Sequence, residues 1–424
     1  MKFKFTKEEK NWILYDVGNS AFVLLVSTIF PIYFNALAAE KGLSSADYLA
    51  YWGYAASIAT LIVALIGPAL GKASDRKRRR KPMFLISILI GAIGCAMLGF
   101  TLHWLVFLII FVIAKSSHSV SLIFYDSMLS DITEDERMDN VSAQGYAWGY
   151  IGSCIPFVIS LGFVLGADRI GISMTAAMAI AFIISALWWV LVSLPLVKGY
   201  RQPYEDAPKS GNILTELKGT VMEIAADKKI LLFLAAYFFY IDGVYTIIEM
   251  ATAYGSALGL DSTGLLLALL ATQVVAFPSS VIIGRLSEKF PAKNLIMFCI
   301  AAYFMIAVFA VFMTSQLHFW ILAVAVGMFQ GGIQALSRSY YAKIIPSEKS
   351  GEYFGILDIC GKGASFMGTL VISAVSQLTE NVNAGVGAIS VFFVIGFVLF
   401  MFQTHGKGQT AKCIEQIEHD EISA

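Results

Sequence analysis

Twelve stretches of this 424-residue chain run for about twenty residues or more with almost no charge. They cover roughly residues 12–37, 49–71, 83–102, 104–130, 142–167, 172–197, 230–258, 262–284, 294–314, 317–345, 352–379 and 383–404. A helix of that length crosses the hydrocarbon of a bilayer. No water reaches the backbone there, so each stretch must pair its own amides as an α-helix. The period-two alternation of membrane barrel strands is absent. Asp, Glu, Lys and Arg make up 14% of the residues, against about 25% in soluble domains, too few to coat a folded chain of this size. A soluble globular protein is excluded, and the expected class is an all-α membrane protein with 12 transmembrane helices.

The 30 Lys and Arg balance 30 Asp and Glu, so no basic surface offers itself to nucleic acid. With both termini in the cytoplasm, 25 of those cations fall in inside loops and ends, and only Lys41 and Arg169 fall outside. The positive-inside rule then predicts a multi-pass protein of the cell membrane with cytoplasmic N- and C-termini. MKFKFTKEEKNW is followed by no cleavage site, so a removable leader is not expected. A long polar loop divides the spans into a first half, residues 1–197, and a second, 230–404, with a linker at 198–229 and a tail at 405–424. Within the linker, Ile213, Leu217, Val221 and Ile224 recur at helical spacing, which predicts a helix lying on the cytoplasmic membrane surface. The halves repeat. Gly71-Lys72-Ala73-Ser74-Asp75-Arg76 aligns with Gly284-Arg285-Leu286-Ser287-Glu288-Lys289 at an offset of 213, and the same offset sets Asp135 over Glu348.

An ionisable group inside a membrane costs about 2.5 to 3.5 kcal/mol on insertion scales, so those that occur point to a pathway. They are Asp16 in the first span, Lys115, His118 and Asp126 in the fourth, Asp242 and Glu249 in the seventh, Arg338 in the tenth, and Asp358 and Lys362 in the eleventh. Asp16 and Asp242 occupy matching places in the first span of each half. A carboxylate in a dry cavity favours its protonated form, which suits a proton carrier, and a carboxylate bonded to neighbouring helices is the other reading. Glu249, two turns beyond Asp242, faces the outer mouth of a cavity. Asp358 and Lys362 stand four apart on one helical face, either as a self-satisfied pair or as solute contacts. Arg338 lies near the cytoplasmic end of its span, where it gates the two halves or meets solute; Asp126, at similar depth, is its candidate partner. His118 suits a proton relay or helix packing. Asn19 and Gln334 are polar groups that bond between helices or contact a ligand.

No HExxH, GxSxG, EF-hand or Rossmann glycine pattern occurs. GILDICGKG lacks the Ser or Thr of a phosphate loop and lies inside a span. No enzyme activity, catalytic residue, metal or cofactor is expected. The five cysteines, Cys95, Cys154, Cys299, Cys360 and Cys413, stand apart without metal-ligand spacing. Without a nucleotide-binding module, movement of a solute must draw on a gradient.

GPALGKASDRKRRRK (Gly67–Lys81) is similar to the signature loop between the second and third helices of the major facilitator superfamily. Arg78 stands where that signature has a glycine. YDVGNSAF, FPIYF, YIDGV, GGIQALSRS and FGILDICGKGASFMG resemble, in order along nearly the whole chain, the Atg22-like branch of that superfamily, which includes bacterial facilitators and fungal vacuolar amino-acid effluxers. The resemblance implies two six-helix halves in pseudo-two-fold repeat. Spans one, four, seven and ten would line the cavity, and three, six, nine and twelve, which carry no charge in their cores, would face lipid.

The resemblance also implies a secondary active transporter that moves a small polar solute by alternating access. Proton coupling and amino-acid or peptide efflux are its finer form. A cavity bearing both signs suits a zwitterion. A gate on the cytoplasmic side is expected from Gly71, Asp75, Arg76, Arg79, Arg80, Lys81 and Glu288. Asp75 would accept from the start of the eleventh span, and the basic run would grip Asp131 and Glu134. The partners expected are the small-molecule solute and the bilayer, with a monomer as the working unit. A lipid flippase of the same fold and a solute sensor without flux are the other classes the sequence admits.

Overall fold

The computed structural model describes residues 4–43, 45–101, 103–203 and 213–405, and every regular element in them is helical. The first apolar stretch is broken into α1 (Lys7–Ser27) and α2 (Ile29–Glu40) at Thr28. Pro31 accounts for the break, because its ring has no N–H to give and crowds the carbonyl of Ser27 one turn back. The first half continues with α3 (Ser45–Asp75), α4 (Arg80–Leu98), α5 (Trp104–Ser127), the short α6 (Leu129–Ile132), α7 (Asp135–Ile170) and α8 (Met174–Gly199). The linker helix α9 (Ile213–Ala226) leads to α10 (Lys228–Ala257), α11 (Ser262–Leu286), α12 (Ala292–Ala310), α13 (Gln316–Ile344), α14 (Ser350–Thr379), α15 (Val382–Ala388) and α16 (Ser390–His405). Local chemistry sets several starts. Thr6 and Glu9 form a reciprocal capping box on α1, with bonds of 3.1 and 2.7 Å, and Ser173, Asp261 and Ser315 cap α8, α11 and α13.

Among the described residues, eleven helical spans are long and apolar enough to cross a membrane. The twelfth, α14, is 30 residues long, but its apolar run is confined to Met367–Thr379, beyond Asp358 and Lys362. Packing repeats between the halves: α1 lies on α7 and α8 as α10 lies on α14 and α16, α3 on α5 as α11 on α13, and α4 on α8 as α12 on α16. The seam between the halves obeys the same exchange, with α3 along α14 and α7 along α11. This is the twelve-helix arrangement of two six-helix halves. Ile86 and Ile93 of α4, Leu187 and Leu191 of α8, Phe298 and Met305 of α12, and Val391 and Phe402 of α16 are exposed apolar side chains, as a lipid-facing belt requires.

Both ends of the described chain, Lys4 and His405, lie on one face, the terminal face. Arg137, at the start of α7, donates to the carbonyl of Lys4 and to Glu9, and Tyr340, at the end of α13, donates to Gln403. The linker helix also lies there: Thr220 and Ile224 turn inward while Val221 and Met222 are exposed. The reason is polar, since Thr220 donates to the buried carboxylate of Glu352 at 2.8 Å and so turns its own face to the bundle. The side chain of Ile213, most of the loop before α9, the tail beyond residue 405 and Cys413 lie outside the described residues.

Candidate functional site

The terminal face is closed by contacts across the seam. Gly71 brings α3 against α14 so closely that a Cβ there would lie 2.1 Å from the carbonyl oxygen of Gly351. Asp75, at the end of α3, accepts from the first backbone amides of α14, Gly351 N–H at 2.8 Å and Glu352 N–H at 3.0 Å. A carboxylate there satisfies donors that a helix start leaves open and faces the positive end of its dipole. Arg80, 1% exposed, joins the two sides: it donates to Asp75, to Asp131 at 2.6 Å, to the carbonyl of Ser127 at 3.1 Å and to Ser350 Oγ at 2.9 Å. Tyr200 donates to Asp131 as well, and burial pushes its pKa up so that it keeps the proton it donates. Lys72 pairs with Glu352 at 2.6 Å.

The repeat places a second seam at α7 and α11. A Cβ on Gly284 would lie 2.7 Å from that of Ala143, and Glu288 accepts from Asn140 Nδ2 at 2.5 Å. Lys343 of α13 pairs with Asp139 of α7 at 2.8 Å. Of the basic run, Arg80 enters the network across the halves. Lys81 donates to the carbonyl of Lys198 at 3.2 Å within its own half, and among the described residues the side chains of Arg76 and Arg79 make no hydrogen bond or ion pair. Glu134 is exposed at the start of α7 and is not gripped. Arg80 prevails because it opens α4 and so points back under the bundle, whereas its neighbours sit on the outside of the turn.

Arg78 occupies the glycine position of the signature with φ of 57°, the left-handed conformation that glycine adopts without strain. The tight turn is thus kept by a residue that bears a steric cost for it.

A second cluster lies deeper in the bundle, toward the terminal-face ends of the helices. Arg338 of α13, 5% exposed, reaches into the first half and donates to Asp126 of α5 at 3.0 Å, to Asp16 of α1 at 3.4 Å, and to Ser142 Oγ and O of α7 at 2.9 and 3.0 Å. Its guanidinium carbon is 4.6, 5.4 and 4.4 Å from the ring centroids of Trp12, Tyr125 and Tyr146. The first half holds this pocket together itself. Trp12 stacks on Tyr125 at 4.3 Å and donates to its carbonyl at 3.0 Å, and Tyr125 donates to Asp16 at 2.7 Å. Gly145 is required, because a Cβ there would lie 2.5 Å from Asp16 Oδ2. Asn19 donates to Asp16 at 3.3 Å and lies 3.3 Å from His118 Nε2, so both buried groups orient Asp16 from behind.

The other sequence candidates are dispersed. Asp242 is buried on α10 but does not mirror Asp16. The Tyr15–Ser121 bond of 2.5 Å has its counterpart in Tyr240–Ser337 at 2.7 Å; the residue following Tyr15 is Asp16, whereas the one following Tyr240 is Ile241. One position on a helix is about 100°, so Asp242 turns to α14, accepting from Gly368 N–H at 3.0 Å and from Thr246 at 3.0 Å. Glu249 is exposed two turns further on, and Lys115 is half-buried three turns before Asp126, so neither reaches the Arg338 cluster. Asp358 is half-buried on α14; the side chain of Lys362 lies outside the described residues. Gln334 crosses the seam to Tyr150 Oη at 3.3 Å. Reading the sequence by charge missed Trp12, Tyr146, Ser142, Gly145, Ser350, Glu352 and Asn140. The one available signal was the 213-residue offset, which sets Asn140 within a residue of Glu352 across the repeat.

Over residues 5–412 the chain matches the family model described as vacuole effluxer Atg22 like. It is 42% identical over 428 residues, with 99% of both chains covered, to the uncharacterized MFS-type transporter YxiO of Bacillus subtilis (strain 168). It is 26% identical over 297 residues to autophagy-related protein 22 of Cryptococcus neoformans (strain JEC21), spanning 64% of this chain and 50% of that one. Among solved structures, the fucose:proton symporter FucP in its outward conformation superposes with a TM-score of 0.70 at 13% identity, covering 94% and 97% of the chains. A bacterial homologue of the iron transporter ferroportin, outward-facing, gives 0.67 at 14% identity, covering 94% and 100%. Family and fold are those of a membrane transporter and not of an enzyme, and this chain belongs to the Atg22-like family of the major facilitator superfamily.

Proposed function

We propose that the chain is a secondary active transporter of the cell membrane that moves a small polar solute by alternating access, with the terminal face in the cytoplasm. One observation carries the reading: a cation of the second half, Arg338, is held inside the bundle by two carboxylates of the first, Asp16 and Asp126. A contact of that kind is made when the halves close on the terminal side and broken when they part, so it ties cavity charge to conformation. The moving units are residues 1–197 and 230–404, working as a monomer and joined by the linker at 198–229, with a tail at 405–424. Asp75, Arg80 and the start of α14 form the cytoplasmic gate with Gly71 and Glu288. The basic residues gathered on the terminal face support its cytoplasmic placement. Charges of both signs along α1, α5, α13 and α14 favour a zwitterion such as an amino acid or short peptide. Asp16 is the carboxylate through which a proton couples to movement, since parting of the halves removes the cation it holds.

The test is counterflow into proteoliposomes of the full chain with labelled amino acids, dipeptides, sugars and nucleosides, with and without a proton gradient. One amino-acid or peptide class should exchange, gradient-driven uptake should fail in Asp16→Asn while exchange persists, and Asp75→Asn should insert normally but carry at least threefold less flux. Exchange of sugars or nucleosides alone, or full flux in Asp75→Asn, would overturn the solute class or the gate assignment respectively.

A further inference from the structure

We propose that the pocket formed by Trp12, Tyr125, Tyr146, Asp16 and Asp126 is the binding site for the cationic side-chain head of the transported solute, a guanidinium group like that of Arg338, and that Arg338 is a tethered occupant of it while the terminal face is closed. The proposal rests on the transporter reading above and deepens it to a charge class.

Three features of the pocket carry it. It is built by one half only: the stack of Trp12 on Tyr125, the bond from Tyr125 to Asp16 and the bond from Asn19 to Asp16 lie within α1 and α5, so the pocket keeps its shape without Arg338. Its chemistry is that of a cation receptor. Ring faces of Trp12 and Tyr146 stand 4.6 and 4.4 Å from the guanidinium carbon, and the two carboxylates accept at 3.0 and 3.4 Å. Its present occupant belongs to the other half, on α13. When the halves part on the terminal side, Arg338 leaves with the second half, and two carboxylates remain against aromatic faces without the cation that neutralised one of them. Burying such a pair uncompensated is costly, and a solute cation of the same width restores the lost contacts. Asp126, with 26% of its side chain exposed, is the edge through which solute enters. An anionic head meets two carboxylates and is rejected. Solute and Arg338 therefore compete for one pocket, and solute favours the state with the terminal face open.

The experiment is a thermal-shift binding titration of the detergent-purified full chain with L-arginine, L-citrulline and L-glutamate at matched ionic strength. Arginine and citrulline share a shape and differ in the charge of the head. Removing the tethered competitor in Arg338→Ala should tighten arginine binding at least tenfold over wild type, leave citrulline and glutamate unchanged, and lose the gain when Asp126→Asn is added. A folded, monodisperse Arg338→Ala that binds arginine no better than citrulline, or a gain that survives Asp126→Asn with Asp16→Asn, would overturn the proposal. Should Arg338→Ala not fold, Tyr146→Phe and Tyr146→Ala in the wild-type background decide: the phenyl ring keeps arginine affinity and the alanine lowers it about tenfold, whereas equal affinities defeat the pocket. Counterflow separates this proposal from the one beneath it. Exchange confined to neutral or anionic solutes defeats the pocket and leaves the transporter; arginine binding without exchange of any solute leaves the pocket and defeats transport.

Discussion

Arg78 shows how one residue can keep a turn that its type disfavours. An L-residue in the left-handed region costs about 1 to 2 kcal/mol relative to the right-handed one, and glycine escapes that cost. Arg78→Gly should therefore raise the stability of the purified protein by about 1 kcal/mol, read as an upward shift in its unfolding temperature; an unchanged or lower midpoint would mean that the turn is not strained. Gly145 presents the opposite case. A methyl group there would collide with Asp16 and Arg338, whereas Gly162 has nothing within 4 Å of its own absent Cβ. Gly145→Ala should cost about 1 to 3 kcal/mol and most of the flux, while Gly162→Ala retains both, and equal behaviour of the two would argue against the packing of the Arg338 cluster. At this scale the sequence was only partly legible. Asp16, Asp126 and Arg338 announce themselves because charge in an apolar run is expensive. Trp12, Tyr146 and Gly145 do not, since aromatics and glycines fill every span of this chain for ordinary packing reasons.

At the scale of elements, helix existence was written plainly in the runs of apolar residues, and breaks were less so. Pro31 marks the division of α1 from α2, yet proline also sits inside α3, α7, α8 and α11 without ending them. Asp242 was misjudged because matching depth in two spans was read as matching direction, and a one-residue offset rotates a side chain to another neighbour. The linker helix was legible as amphipathic, but its orientation depends on Thr220 finding Glu352, a partner 132 residues away. That bond joins α9 to the proposed gate, because the same Glu352 pairs with Lys72 and its amide donates to Asp75. Thr220→Val keeps the shape and removes the donor, a loss of about 1 kcal/mol. The closed terminal face should loosen, so a cysteine placed by Ser350→Cys, where the native side chain is fully buried, should react with a water-soluble maleimide several-fold faster when Thr220→Val is also present. Identical rates would remove α9 from the gate.

For the whole molecule, the exchange of contacts between α3–α14 and α7–α11 means that the terminal face has two seams related by the repeat, and the proposed alternation must open both. Joining Asn140→Cys to Glu288→Cys with a short bis-methanethiosulfonate reagent ties only the second seam. Flux should nevertheless fall more than tenfold and return on adding dithiothreitol; flux unaffected by the tie would show that the seams move independently. The repeat itself was readable from the 213-residue offset, and the two halves with it. Which charges meet across the seam was not, because that is decided by the docking of two six-helix units and no local pattern records it.

The tether on Arg338 also has an electrical side. The second half carries a fixed positive charge into contact with a fixed negative pair on the first, in a medium where water and salt screen little. In the proposed alternating-access cycle each swing of the halves pulls these poles apart and returns them, and the molecule would then act as a small capacitor that charges and discharges once per cycle. A neutral cargo would then still be accompanied by a brief displacement current, its direction set by which half moves against the membrane field.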